Sequence, residues 1–217
     1  MTARYDSIGA SGLQFFGKVS ASISHELKNV LAIINENAGL LEDLSFAARR
    51  GSAIDPERLE RTVQNFSKQI RRADEILNNM NRFAHSVDQF EAQIDLGELA
   101  GLVAQLAGRK AAMAKILIEA AAPDTPVSLA SNPFLLENLV WLCLEFAIAN
   151  SAPGTTIRLT PEKTGGAAAL HLDGVSGLAQ AYPGAMPAGY AEILAALGAT
   201  LTPDLAAGRL TIAIGQP

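Results

Sequence analysis

Phe16-Gly17-Lys18-Val19-Ser20-Ala21-Ser22-Ile23-Ser24-His25-Glu26-Leu27-Lys28-Asn29-Val30-Leu31-Ala32 is the stretch that organises the chain. In and around it apolar residues recur as Phe16, Val19, Ile23, Leu27, Val30, Ile34, Ala38, Leu41 and Leu44. Steps of three and four mark the stripe of an amphipathic helix. His25 lies about 200° round that helix from both Ile23 and Leu27, at about 100° per residue, so it faces away from the stripe. Asn29 follows at i+4 on the same face, and Glu26 flanks the histidine. Ala21, Ser22 and Ala32 keep the surroundings small. A lone exposed histidine is usually a solvated surface residue; these neighbours set this one apart.

Working outward, the helix is expected to stop after Arg49 and Arg50, cations at the negative dipole end, with Gly51 free to turn left-handed. Asp55-Pro56-Glu57 reads as N-cap, first helical residue and first-turn acid of a second helix. Its stripe is Leu59, Val63, Phe66, Ile70, Ala73, Leu77, Met80, Phe83 or Ala84, Val87 and Phe90, close to a 3.5-residue period. Two antiparallel helices cannot bury both stripes against each other, so a second copy is expected to close a four-helix bundle as a homodimer. The other way to cover the stripes is for the hairpin to pack on its own C-terminal half.

With 217 residues the chain has room for one large domain or two small ones, and 49% hydrophobic with 18% charged residues describes a folded protein rather than a disordered one. The net charge of −5, with no basic block, argues against nucleic acid as a partner. Cys143 is alone, which excludes an internal disulfide and fits a reducing cytoplasm. No basic start followed by an apolar core marks a signal peptide, and no apolar run of about 18 residues marks a membrane span. A cytoplasmic location without membrane contact is therefore expected, with any membrane sensor on another polypeptide.

Around Gln93 to Leu96 the composition changes. Residues 1–90 balance 11 Lys+Arg with 11 Asp+Glu, whereas residues 91–217 carry 6 against 11. Two domains follow, 1–91 and 92–217. In the second, Leu96 to Arg109 reads as a helix, and Ile116 to Ala120 and Val127 to Ala130 as short strands. Asn132-Pro133 opens a helix to about Asn150 whose oily run Leu139 to Leu144 marks it as buried. Thr155 to Thr160, Ala167 to Leu172 and Leu210 to Ile214 read as strands, and Tyr190 to Leu197 as a helix ended by Gly198.

The stretch Phe16 to Ala32 resembles the H-box of two-component sensor histidine kinases, and the order of elements after residue 92 resembles the α/β sandwich that binds ATP in that family. The resemblance implies a fold of α + α/β class, a dimerisation and histidine phosphotransfer hairpin followed by a kinase-type ATPase sandwich. It implies that His25 accepts and donates a phosphoryl group, that Glu26 is its acid/base partner, and that Asn29 holds the position supporting dephosphorylation of a receiver. Lys28, Ser22 and Ala32 fall where a receiver domain would be met. A proline that usually follows Asn29 is Val30 here, so no kink is forced on the helix.

The nucleotide motifs depart further. Laid on the N-box, Phe146 stands where the Mg²⁺-binding Asn belongs, Leu142 replaces the first Asn and Ala149 the usual Lys. Glu145 beside them is either a vestige of that motif or, as expected here, a residue of the helix surface. The first glycine box survives as Asp173-Gly174-Val175-Ser176-Gly177, in which Asp173 serves either an adenine amine or only a turn. The second glycine box is absent, and the 12 residues between Gly177 and Tyr190 make a short lid. No cofactor or metal of its own is therefore expected, and ATP is not expected to bind; His25, His85 and His171 show no ligand spacing. The chain is closest in kind to the histidine phosphotransferases of bacterial phosphorelays, with response-regulator receivers as partners that bring the aspartate and its Mg²⁺. A receiver-binding scaffold without catalysis, a kinase with an atypical nucleotide site and a receiver phosphatase relying on Asn29 are the other readings. The second half either binds the receiver too or only caps the hairpin.

Overall fold

The structure is a computed structural model and describes residues 2–123, 125–164 and 167–215. Two long helices come first, α1 (Thr2–Arg49) and α2 (Pro56–His85). There follow β1 (Ala92–Asp95), α3 (Leu96–Met113), β2 (Leu117–Ala120), β3 (Ser128–Ser131) and α4 (Pro133–Ala149). The remainder is β4 (Thr156–Thr164), β5 (Ala167–Asp173), α5 (Leu178–Ala181), α6 (Tyr190–Leu197), β6 (Ala199–Asp204) and β7 (Arg209–Ile214). A helical N-terminal part followed by a mixed α/β part is the expected class.

Local chemistry accounts for most boundaries. Gly51 closes α1 at φ 90°, and the Asp55 carboxylate accepts from the Glu57 N–H at 3.0 Å to cap α2. Asp95 caps α3 by accepting from Gly97 and Glu98, and Asn132 caps α4 by accepting from Leu135 N–H at 2.8 Å. α1 starts well before Leu13, where its stripe had suggested a beginning. β1, α5 and β6 were not expected at all. β6 carries Pro203, and it is tolerated because β6 is an edge strand of the five-stranded sheet β2-β4-β5-β7-β6. β1 pairs only with β3, as a separate antiparallel ribbon. In the larger sheet β2 runs parallel to β4 and the other pairs are antiparallel.

The chain divides into two compact units, one formed by residues up to Val19 together with Phe83–Pro217, the other by Ser20–Arg82. In the first, α3 packs on β2 and β4, α6 packs on β6, and α4 lies against both helices. Ile157, Leu159, Leu170, Leu172, Leu210 and Ile212 fill the inner sheet face with almost no exposure. The base of the hairpin is bound into this core by Phe15, whose ring centroid lies 5.1 Å from Phe83, 5.5 Å from Trp141 and 5.6 Å from Phe134. Phe15 is 1% exposed and Phe16 is 45% exposed, so the stripe of α1 runs through Phe15 and not, as the spacing suggested, through Phe16.

The second unit holds the rest of the hairpin. Glu26 on α1 meets Arg72 on α2 with Nη2 to Oε2 at 4.0 Å, which sets the level of one helix against the other. Stepping by seven from there, Ile23 lies level with Ile76, Val30 with Gln69 and Asn37 with Thr62, to within a residue. All six are buried. The seam within the chain thus turns polar toward the hairpin tip. Asn37 Nδ2 bonds back to Ile33 O, and Thr62 Oγ1 to Arg58 O. Of the apolar residues expected to form the α2 stripe, Phe83 is buried and Phe66 and Ala73 are half-buried, but Leu59, Val63, Ile70 and Leu77 are exposed, as is Leu31 on α1. Val87 and Phe90 lie beyond the end of α2 and are exposed too.

Candidate functional site

The midpoint of α1 presents His25, Lys28 and Asn29 to solvent, while Ile23 and Val30 on the opposite side are buried. This is the placement the helical period predicts: the imidazole is available to a partner, and the helix beneath it is anchored. Ala32 is exposed and Ser22 half-buried. Small residues there leave room for another protein's surface to approach the ring.

Glu26 is half-buried, and its carboxylate is faced by the Arg72 guanidinium from α2. Arg72 was not singled out from sequence. The antiparallel level explains why: α1 overshoots the first turn of α2 by about two turns of helix, so counting back symmetrically from Gly51 puts the wrong residues opposite Glu26. The doublet Arg71-Arg72, lying off the apolar stripe of α2, is the only signal that pointed there.

Chemically, an exposed imidazole offers a ring nitrogen whose lone pair can act as a nucleophile. A carboxylate one residue on can orient the ring and take a proton. An amide one turn on can hydrogen-bond water or a phosphoryl oxygen. Group transfer at such a site asks mainly for positioning and charge neutralisation.

In the α/β unit, the positions aligned with nucleotide motifs are occupied by packing groups. Phe146 is 1% exposed and stands edge-on to Tyr182, with centroids 6.4 Å apart. Leu142 is buried, and Ala149 is exposed. Asp173 is engaged by Arg209, whose Nε lies 2.5 Å from its Oδ1. Gly174, at φ 87°, has Thr156 O only 2.2 Å from where a Cβ would sit. Gly177 donates its N–H to Asn150 O at 2.8 Å, and a Cβ there would come within 2.3 Å of that oxygen. Close backbone approach explains both glycines. A shallow open depression is lined by Asn150, Gly177, Gln180, Tyr182 and Gly184.

Glu145 is not on the helix surface, as its neighbours had suggested. It is 8% exposed and is held by Lys18 Nζ of α1 at 2.7 Å and by Lys110 Nζ of α3 in a shorter contact. Burial pushes its carboxyl up, but the two ammonium groups outweigh that and hold it below the ordinary glutamate value. Two residues before it, Cys143 is fully buried, and burial pushes its thiol up to about 12, which makes it inert. Among the described residues no cluster of three or more His, Cys, Asp or Glu is arranged to hold a metal, and no helix is long and apolar enough to cross a membrane.

No family model matches the chain, and no curated protein sequence matches it. Solved structures of similar fold include the Acinetobacter baumannii histidine kinase AdeS, at TM-score 0.47 and 15% identity over 88% of this chain and 98% of that one. A histidine kinase from Burkholderia phymatum STM815 is similar at TM-score 0.42 and 14% identity, over 88% of this chain and 95% of that one. The cytoplasmic segment of histidine kinase QseC is similar at TM-score 0.42 and 18% identity, over 67% of this chain and 93% of that one.

Proposed function

We propose that the protein is a histidine phosphotransferase of a two-component phosphorelay, passing a phosphoryl group between receiver aspartates and His25. The observation that carries the reading is the exposed imidazole of His25, off the anchored stripe of α1, with Glu26 beside it and Asn29 one turn away. In the forward step the Nε2 lone pair of His25 forms the N–P bond as the O–P bond of the receiver's aspartyl phosphate breaks. That bond pair leaves on the aspartate carboxylate, and Glu26 takes up the Nδ1 proton. The return step reverses each event. Mg²⁺ belongs to the receiver.

The α/β part supports a role without its own nucleotide. A buried Phe146 against Tyr182, and Asp173 already paired with Arg209, do not fit a Mg²⁺-nucleotide, so no step is routed through one. The exposed seam of Leu59, Val63, Ile70 and Leu77 supports a homodimer, because a second copy would cover a heptad-spaced apolar row that the chain itself leaves bare. A cytoplasmic setting follows from the relay role.

The test is to incubate the protein with phosphorylated receivers and look for an acid-labile, base-stable label. Wild type should take the label and His25→Ala should not. Equal labelling of both, or none of either from any receiver, refutes the reading. Labelling from ATP alone would establish the kinase reading instead. Partner binding and cellular function unaffected by His25→Ala would establish the scaffold.

A further inference from the structure

The phosphoryl group on a histidine is doubly charged near neutral pH, and at His25 it would sit one residue from Glu26, which is a carboxylate again once the proton taken from Nδ1 has passed to water. Like charges so placed repel, which slows phosphorylation and favours loss of the group. The site therefore needs a cation, and the cation must reach it without blocking the exposed ring. Lys28, three residues on, is exposed on the same helix as the ring. Arg72 differs. It comes from the other helix, its Nη2 is 4.0 Å from Glu26 Oε2, and half of its side chain (52%) still faces water. It thus stands at ion-pair distance from the acid/base residue while keeping N–H donors available. A guanidinium also suits a carboxylate and a phosphoryl group together, since its planar fork can serve two anions at once.

We infer that Arg72 is the positioning residue of the phosphotransfer site: it holds Glu26 against the α2 side and screens that carboxylate from the phosphoryl group on His25. Acting through Glu26, it lets one carboxylate serve as proton acceptor without expelling the anion next to it. The antiparallel pairing of α1 with α2 is then part of the chemistry as well as of the architecture, because Arg72 reaches Glu26 only at this level of the hairpin. This rests on the phosphotransfer reading of His25.

The experiment compares wild type with Arg72→Gln, Arg72→Lys and Arg72→Glu by two independent readouts. One is the rate of phosphoryl transfer from a phosphorylated receiver. The other is the lifetime of phosphohistidine made directly with phosphoramidate, which needs no receiver. Arg72→Gln should slow transfer about tenfold and shorten the lifetime, Arg72→Glu should be worse, and Arg72→Lys should recover to within about threefold of wild type, since it restores the charge. The deficit of Arg72→Gln should shrink at high salt, where exposed charges are screened. Melting temperatures should stay together, because a surface ion pair contributes little to stability. Equal rates and lifetimes in wild type and Arg72→Gln, or a lysine variant as impaired as the glutamate variant, overturn the inference while leaving the relay intact. If wild type takes no label from any receiver but its chemically made phosphohistidine still decays faster in Arg72→Gln, the relay reading fails and the role of Arg72 stands. A wild-type His25 that phosphoramidate cannot label sinks both.

Discussion

Glu145→Gln keeps the shape of a buried side chain and removes its charge, which makes it a clean probe of how the hairpin base is held. The carboxylate joins three elements of the α/β unit, taking Lys18 from α1 and Lys110 from α3 while sitting on α4. A hydrogen bond to a charged group contributes about 1.5–3 kcal/mol at full strength. Here the lysine side chains are 49% and 44% exposed, so both ammonium groups can rehydrate and the contribution is discounted. A loss of about 1–2 kcal/mol at pH 7 is expected. For a protein of this size that lowers Tm by about 2–8 °C. The sign of the pH dependence follows from the depressed carboxyl. Burial raises its pKa, the lysines lower it more, and the net position is below the ordinary value of 4.5. Its stabilisation is therefore fully present above pH 4.5 and is lost as pH falls through the lower, folded-state pKa. Calorimetry of wild type and variant at pH 7 and near pH 3 should show a gap that closes on acidification. An equal Tm at pH 7, or a gap that persists unchanged in acid, would refute the reasoning. The apolar triple variant Lys18→Met, Glu145→Leu, Lys110→Met should recover most of the loss, because it removes the buried carboxylate together with both of its half-exposed cations and leaves no charge unpaired.

Phe15→Ala should cost about 3–5 kcal/mol in denaturant melts, since it empties the ring cluster with Phe83, Trp141 and Phe134, whereas the half-exposed Phe16→Ala should cost under half as much. Gly174→Ala combines a left-handed φ of 87° with a clash on Thr156 O, and should destabilise by about 2–3 kcal/mol or more, measured the same way. Ile70→Glu lies on an exposed surface of the single chain, so a monomer would tolerate it within about 0.5 kcal/mol. In a dimer closed over that seam it should instead lower the sedimentation coefficient to that of a monomer.

Local pattern carried much of this protein. Three-and-four spacing, a terminal Gly51, capping Asp55 and Asn132, and the oily run of α4 are all set by residues within a turn or two of each other, so every helix but the short α5, and most strands, were legible without a structure. The outward placement of His25 was legible for the same reason: angular position on a helix depends only on residue number. What local pattern could not supply were choices made by distant partners. Phe15 and Phe16 are equally apolar neighbours, and the rings of Phe83, Trp141 and Phe134 decide which is buried. β6 contains Pro203, which a strand accepts only where an edge leaves its missing N–H unneeded, and the sheet order decides that β6 is such an edge. Glu145 looked like a surface acid because its cations lie 127 and 35 residues away. Arg72 reaches Glu26 only through the level at which two long helices pair. The helix, its stripe and its exposed histidine follow from near neighbours, whose mutual positions the backbone geometry dictates. The ionic bridge at Glu145 and the guanidinium beside Glu26 join parts of the chain that only folding brings within reach.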